Sequence, residues 1–131
     1  MLGLQSCGIT VLRVVVGIVF AVHGYQKLFT LGIHGVSGML GHMGIPLAGF
    51  FAVVVTLVEF AGGVLLILGV ATRIAAALIA IDMIVAILVV HLKNGFFNPR
   101  GVEFPLTLLA AAICLMLAGG GAFTLKRWWD G

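Results

Sequence analysis

Glu59 stands in the middle of an apolar run that extends from Phe50 to Val70. A transmembrane helix needs roughly 20 apolar residues, and a charge at its centre costs about 2.5–3.5 kcal/mol. That cost is tolerable where the carboxylate faces a polar interior and finds a partner. Gly62 and Gly63, three and four residues on, share its helix face and let a neighbouring helix come close. Glu59 therefore reads as the acid of a buried polar cluster, either active in chemistry or an acceptor that locks helices together. Counted at 1.5 Å per residue, Arg13, Asp82 and Glu59 lie roughly 8, 13 and 15 Å in from the side of the termini. At those depths a cation between two carboxylates could form one network, net negative when both acids ionise.

A second group gathers at the opposite end: His23, Lys27, His91 and Glu103. His23 and Lys27 are four residues apart and share a helix face, and Glu103 could pair with either. Glu103 also has a structural reading, because the macrodipole favours a carboxylate in a first helical turn. Asp82 and His91 differ by nine residues, which puts them on opposite faces of a straight helix. Both can face one site only if that helix is kinked or one of them meets a neighbouring protomer. The candidates for catalysis are Glu59, His23 and His91, although a lone histidine near a membrane interface is often only a wetted side chain.

The elements that must carry these residues are apolar helices. Of 131 residues, 63% are hydrophobic and 8% charged, where soluble domains run near 45–50% and 25%. A chain this small cannot hide that much apolar surface from water, so the expectation is one integral membrane domain over residues 1–131. The spans read as about 8–29, 46–69, 74–92 and 103–121. They make an all-α, antiparallel up-down four-helix bundle with both termini on one side. No positive charge precedes Arg13 and no small-residue cleavage pattern follows the first run, which argues against a signal peptide.

Between the first two spans, Gly32, Gly35, Gly38, Gly41 and Gly44 recur at every third position. Val36, Met39, Leu40 and Met43 keep helical spacing through this stretch, so it reads either as a short interfacial helix or as a loop. Pro46 suits the first turn of the second span, and Thr72-Arg73 marks a tight turn into the third. Lys93 to Gly101 reads as a loop with Phe96 and Phe97 at the interface. Lys126-Arg127-Trp128-Trp129 reads as a basic, aromatic anchor. Arg13, with Arg73, Lys126 and Arg127, tips the termini towards the cytoplasm against Lys27, Lys93 and Arg100.

The net charge of +3 is small and dispersed, which gives no case for nucleic-acid binding. Cys7 and Cys114 lack CxxC spacing and read as apolar filler rather than a disulfide. No metal-ligand spacing, facing mid-membrane haem histidines, or dinucleotide motif of the kind flavin enzymes use is present.

Leu12-Arg13 and His23-Gly24-Tyr25-Gln26-Lys27-Leu28 come first along the chain, then Gly44-Ile45-Pro46. Glu59-Phe60-Ala61-Gly62-Gly63 follows, and the stretch from Leu68 to Arg73. His91, Gly95-Phe96-Phe97, Gly101-Val102-Glu103 and Gly119-Gly120-Gly121 complete the set. Taken together and in this order, these pieces resemble the DoxX family of small four-helix bacterial membrane proteins. That family often has an aspartate after the last glycines, where this chain has Lys126.

The resemblance implies an inner (plasma) membrane protein, multi-pass, that works in quinone-linked redox chemistry. The family takes its name from a subunit of an archaeal thiosulfate:quinone oxidoreductase, also described with a terminal quinol oxidase. On that reading His23, Lys27, His91 and Glu103 bind quinone or relay protons, and electrons pass through the quinone or a partner's cofactor. Arg13, Glu59 and Asp82 hold the bundle. Two other classes stay open: a non-catalytic membrane anchor or assembly subunit, and a small-solute or proton transporter. Each would work in the lipid bilayer with a partner protein or as a homo-oligomer.

Overall fold

The computed structural model describes residues 3–97 and 101–125. Helix α1 spans Leu4–Tyr25 and continues as a π-helical segment, Gln26–Leu31, into α2, Gly32–His42. Helices α3, Ala48–Leu68, and α4, Thr72–Ala86, follow; α4 runs on through a second π-helical segment, Ile87–His91, and a 3-10 turn, Leu92–Asn94. Helix α5 is Glu103–Ala118. The described residues contain no strand, in agreement with the all-α expectation. The Lys126–Trp129 anchor and the Asn98–Arg100 part of the loop lie outside the described residues.

Among the described residues, three helical runs are long and apolar enough to cross a membrane: Leu4–His42, Ala48–Leu68 and Thr72–Asn94. Helix α5 is apolar but has 16 residues, about 24 Å at 1.5 Å each, short of a hydrocarbon core of about 30 Å. Large apolar side chains such as Val15, Val22, Phe50, Leu57, Ile81 and Leu88 are exposed along these runs. A surface of that kind suits lipid and not water.

Between 31 and 45, the choice between helix and loop resolves as helix. Gly32, at φ +74°, turns the chain out of the π segment, a conformation that glycine adopts without a Cβ penalty. Val36 and Leu40 of α2 then bury themselves against Ala52 of α3. This contact, rather than propensity, holds a helix that contains Gly35, Gly38 and Gly41.

Glycines set the approach of α1 to α3. A methyl group at Gly17 would lie 2.8 Å from the Gly63 carbonyl oxygen, and one at Gly24 would strike the backbone of Phe60. A methyl at Gly63 would strike Ala21. On its other side Gly62 faces Ile79 of α4, whose Cδ1 would lie 3.2 Å from an added methyl. Val16 and Phe20 of α1, Leu66 of α3, Ile79 of α4 and Leu115 of α5 fill the shared core. Helix α3 ends in a Schellman motif: Val70 N–H donates to Leu65 O (3.0 Å) and Gly69 N–H to Leu66 O (3.2 Å), with Gly69 at φ +72°.

Gly63→Ala should lower stability by about 1–3 kcal/mol through overpacking of two backbones. Gly38→Ala, where an added methyl meets nothing within 4 Å, should be neutral or raise stability by up to about 1 kcal/mol. Thermal unfolding in detergent, followed by circular dichroism, separates the two.

Candidate ligand cavity and ion-pair site

The α1–α3 register decides which α1 side chain meets Glu59. Gly17 packs at Gly63 and Ile67, while Gly24, seven residues later, packs at Phe60. The α1 chain therefore passes Glu59 just beyond Gly24. There the π-helical segment presents Lys27, whose Nζ donates to Glu59 Oε1 at 2.7 Å. Glu59 is buried at 5% exposure. The pair thus forms where water is scarce and a charge without its counter-ion would be costly.

Asp82 of α4 reaches the same pair. Its carboxyl lies within hydrogen-bonding range of Glu59 and within Coulomb range of Lys27. Its Oδ2 is fully buried and meets no hydrogen-bond partner among the described residues.

These groups form part of the wall of a cavity of about 770 Å3, within the roughly 300–1,000 Å3 usual for small-molecule sites. His23, Lys27, Glu59, Asp82 and His91 line it, and the rest of the lining is apolar. Met39 and Leu40 of α2, with Met43 just past its end, form one wall, and Val89 and Val90 of the second π segment form another. Phe104, Pro105 and Leu108 bring α5 to it.

Four residues expected at the far end of the bundle fare differently. His23, Lys27 and His91 line the one cavity. Glu103 occupies the first turn of α5 and is not among the lining residues. Asp82 and His91 face the same space despite their nine-residue separation. The π-helical segment Ile87–His91 supplies the departure from a straight helix that this requires, because i→i+5 bonding turns less per residue than i→i+4.

Arg13 is a correction. It was expected between Glu59 and Asp82, but the α1–α3 register sets it level with Gly69, where an added methyl would lie 3.0 Å from its Nη1. Gly69 is ten residues past Glu59, about 15 Å along a helix, and Lys27 takes the place beside the acid. Depth alone had merged two sites that register keeps apart. Arg13, at 2% exposure, instead donates to backbone carbonyls beyond α5: Nη1 to Gly120 O (2.6 Å) and Ala122 O (3.1 Å), Nη2 to Phe123 O (3.2 Å). Thr10 Oγ1 also donates to Ala122 O at 2.5 Å. Gly121 permits this docking, because a methyl there would lie 2.6 Å from Ser6 O.

Sequence reasoning missed that α2 walls the cavity, although the stripe Val36, Met39, Leu40 and Met43 signalled an apolar face. It also missed the carbonyl cage around Arg13, for which Gly119-Gly120-Gly121 was the available sign. Among the described residues no three His, Cys, Asp or Glu converge as metal ligands.

Comparison with known proteins bears directly on this arrangement, since the DoxX family model matches residues 8–92, from α1 through the second π segment. The chain belongs to the DoxX family. A Bacillus subtilis protein named "Putative oxidoreductase CatD" is 41% identical over 112 residues, covering 86% of this chain and 79% of that protein. A Mycobacterium tuberculosis protein described as an uncharacterized membrane protein is 35% identical over 127 residues, covering 88% and 77%. The Escherichia coli inner membrane protein YqjF is 29% identical over 126 residues, covering 95% and 93%. No solved structure shows a significant match to the chain. This DoxX-family chain is thus a membrane protein, with its ionisable cavity inside the apolar helices.

Lys27→Met should destabilise the protein by about 2–4 kcal/mol, because it leaves Glu59 buried without its cation. The double variant Lys27→Met/Glu59→Gln should cost clearly less than the sum of the singles. A double-mutant cycle on unfolding in detergent measures this, and additivity would deny the pair its role.

Proposed function

We propose that this DoxX-family protein is a multi-pass inner-membrane component of a quinone-linked oxidoreductase complex, and that its cavity holds the quinone ring. The observation that carries this reading is the cavity itself: about 770 Å3, apolar in most of its lining, with five ionisable side chains converging on it. A lipophilic ring with polar oxygens matches that distribution. The printed name of the Bacillus subtilis relative agrees with redox work. Bound quinone would supply a carrier of two electrons and two protons. The electrons would come from a partner protein's redox group.

The chain's own residues then have distinct tasks. His23 and His91 each offer a ring N–H or a ring nitrogen to an oxygen of the bound group, according to tautomer. Lys27 holds the Glu59 carboxylate in place and adds positive charge beside the ring. Glu59 and Asp82, facing each other, can hold and pass a proton at the cavity wall. Met39 and Met43, flexible and polarisable, suit an irregular apolar surface. In the bilayer, α5 would serve as the fourth span of an up-down bundle, with the termini in the cytoplasm.

Native mass spectrometry of the protein, drawn from its own membrane in mild detergent, tests the reading. Quinone bound near one per chain is expected, and His23→Ala or His91→Ala should lower that occupancy about tenfold. Glu59→Gln should keep assembly and lose electron-transfer activity. A stoichiometric soluble partner with no quinone would replace the reading with an anchoring subunit. A bare homo-oligomer would turn it towards a transporter.

A further inference from the structure

Size and exposure narrow what the cavity takes and where it opens. A cavity of about 150 Å3 holds one benzene ring, and this one, at about 770 Å3, is several times larger. A ring alone would occupy only part of it, and most of the remaining wall is apolar. Five of the lining residues are also exposed on the outer surface of the helices: Met39, Pro46, Phe51, Val85 and Phe104. All five are apolar. None of the ionisable lining residues, His23, Lys27, Glu59, Asp82 and His91, is exposed in that way. The cavity therefore meets the outside through apolar lips, with its polar groups set back from them.

Helix packing shows how one such opening arises. Helices α3 and α4 are in contact where Gly62 faces Ile79, and again where Asp82 meets Glu59. Beyond Asp82, the second π segment packs against α5 and makes no comparable contact with α2 or α3. Helix α2 in turn packs on α3 and on the first π segment. A cleft is left between the two groups, with Met39 and Phe51 on one lip and Val85 on the other. Val85 is 13 residues from the start of the Thr72–Asn94 span and 9 from its end, about 20 and 14 Å at 1.5 Å each. That depth falls within a hydrocarbon core about 30 Å thick, so the cleft opens on lipid chains and not on water.

We infer that the cavity takes a bilayer-borne quinone with a long apolar tail, and that the tail leaves through the cleft between Met39 and Phe51 on one side and Val85 on the other. This rests on the reading of the cavity as a quinone site, and adds the subsite for the tail and the route of entry. The ring goes in first and brings its oxygens to the recessed polar groups. The tail stays among the lips, in surroundings as apolar as the lipid it left, and crosses no polar barrier on the way. For the same reason the tail adds little affinity of its own. What the cleft grants is room for it, which a compact, water-soluble ring would not need.

The test is equilibrium dialysis of the purified full chain in nanodiscs against two ligands: dimethoxy-methyl-benzoquinone, which has no tail, and the same ring with a decyl chain. Each variant is compared with the wild type for the same ligand, so partitioning of the ligand into the bilayer cancels. Val85→Trp fills the cleft from one lip and should weaken the decyl form about tenfold, an ordinary effect of overpacking. The tailless ring should keep its affinity within about twofold. Met39→Trp fills the cleft from the other lip, should do the same, and decides alone if Val85→Trp fails to fold. Leu57→Trp, exposed on α3 and outside the lining, should change neither affinity.

Loss of both ligands alike in the cleft variants would overturn the inference, because the lips would then belong to the ring, and would leave the quinone site standing. Unchanged binding of the decyl form would do the same, as would an equal loss in Leu57→Trp. So would a wild type that holds the tailless ring and refuses the decyl form. Binding of neither ligand to the wild type would overturn both the inference and the site on which it rests.

Discussion

The Lys27–Glu59 ion pair is the constraint around which the cavity end of this protein is arranged. A carboxylate buried to 5% exposure within an apolar helix must have its cation at contact distance. That demand reaches backwards into the packing. Lysine must arrive at the level of Glu59 on the π-helical continuation of α1, so α1 must lie against α3 at the register that brings it there. The small residues at Gly17, Gly24 and Gly63 permit that register by letting the two backbones touch. Lipid gives helices no hydrophobic reason to associate, so close backbone contact and the buried polar bond have to supply it between them. The two act together: glycine contact sets the distance, and charge sets the alignment.

The cavity follows from a second departure from regular geometry. Regular α-helix would carry Lys27 and His91 round to angles dictated by 3.6 residues per turn. Both residues lie in π-helical stretches, Gln26–Leu31 and Ile87–His91, and both face the same space. Widened turns of this kind are frequent at functional sites. They re-aim side chains without breaking the backbone hydrogen bonding that a bilayer requires. The space left beside them is closed on another side by α2, whose glycines make it a poor helix alone but which is held by Val36 and Leu40 against Ala52.

How far the sequence alone leads can be judged from particular residues. Glu59 with Gly62 and Gly63 was legible, because a charge and two small residues in a long apolar run each contradict the surroundings and point to one helix face. The apolar composition and the long helices were legible for the same reason, since only a membrane makes them stable. His23 and Lys27 were legible as a pair from their spacing, but the acid that Lys27 meets was not. Choosing Glu59 over Glu103 depends on helix register, which the backbone contacts of glycines fix and which spacing within one helix does not reveal. Arg13 was misplaced for that reason. It donates instead to backbone carbonyls, a kind of acceptor that every residue possesses and no sequence advertises. The joint exposure of Asp82 and His91 to one cavity depends on a π-helical stretch for which Ile87–His91 carries no glycine or proline as a marker.

The cage around Arg13 has a consequence for the birth of the molecule. Its acceptors, Gly120, Ala122 and Phe123, lie 107 to 110 positions later in the chain. Synthesis at about 5–20 residues per second puts roughly 5–20 s between the emergence of the arginine and that of the carbonyls that will hold it. For that interval the guanidinium has to be solvated by something else, and a position a few turns from the start of α1 lets it reach up to the lipid headgroups. Until residues 120–123 have been made, the first helix lacks the carbonyls that hold its arginine inside the bundle.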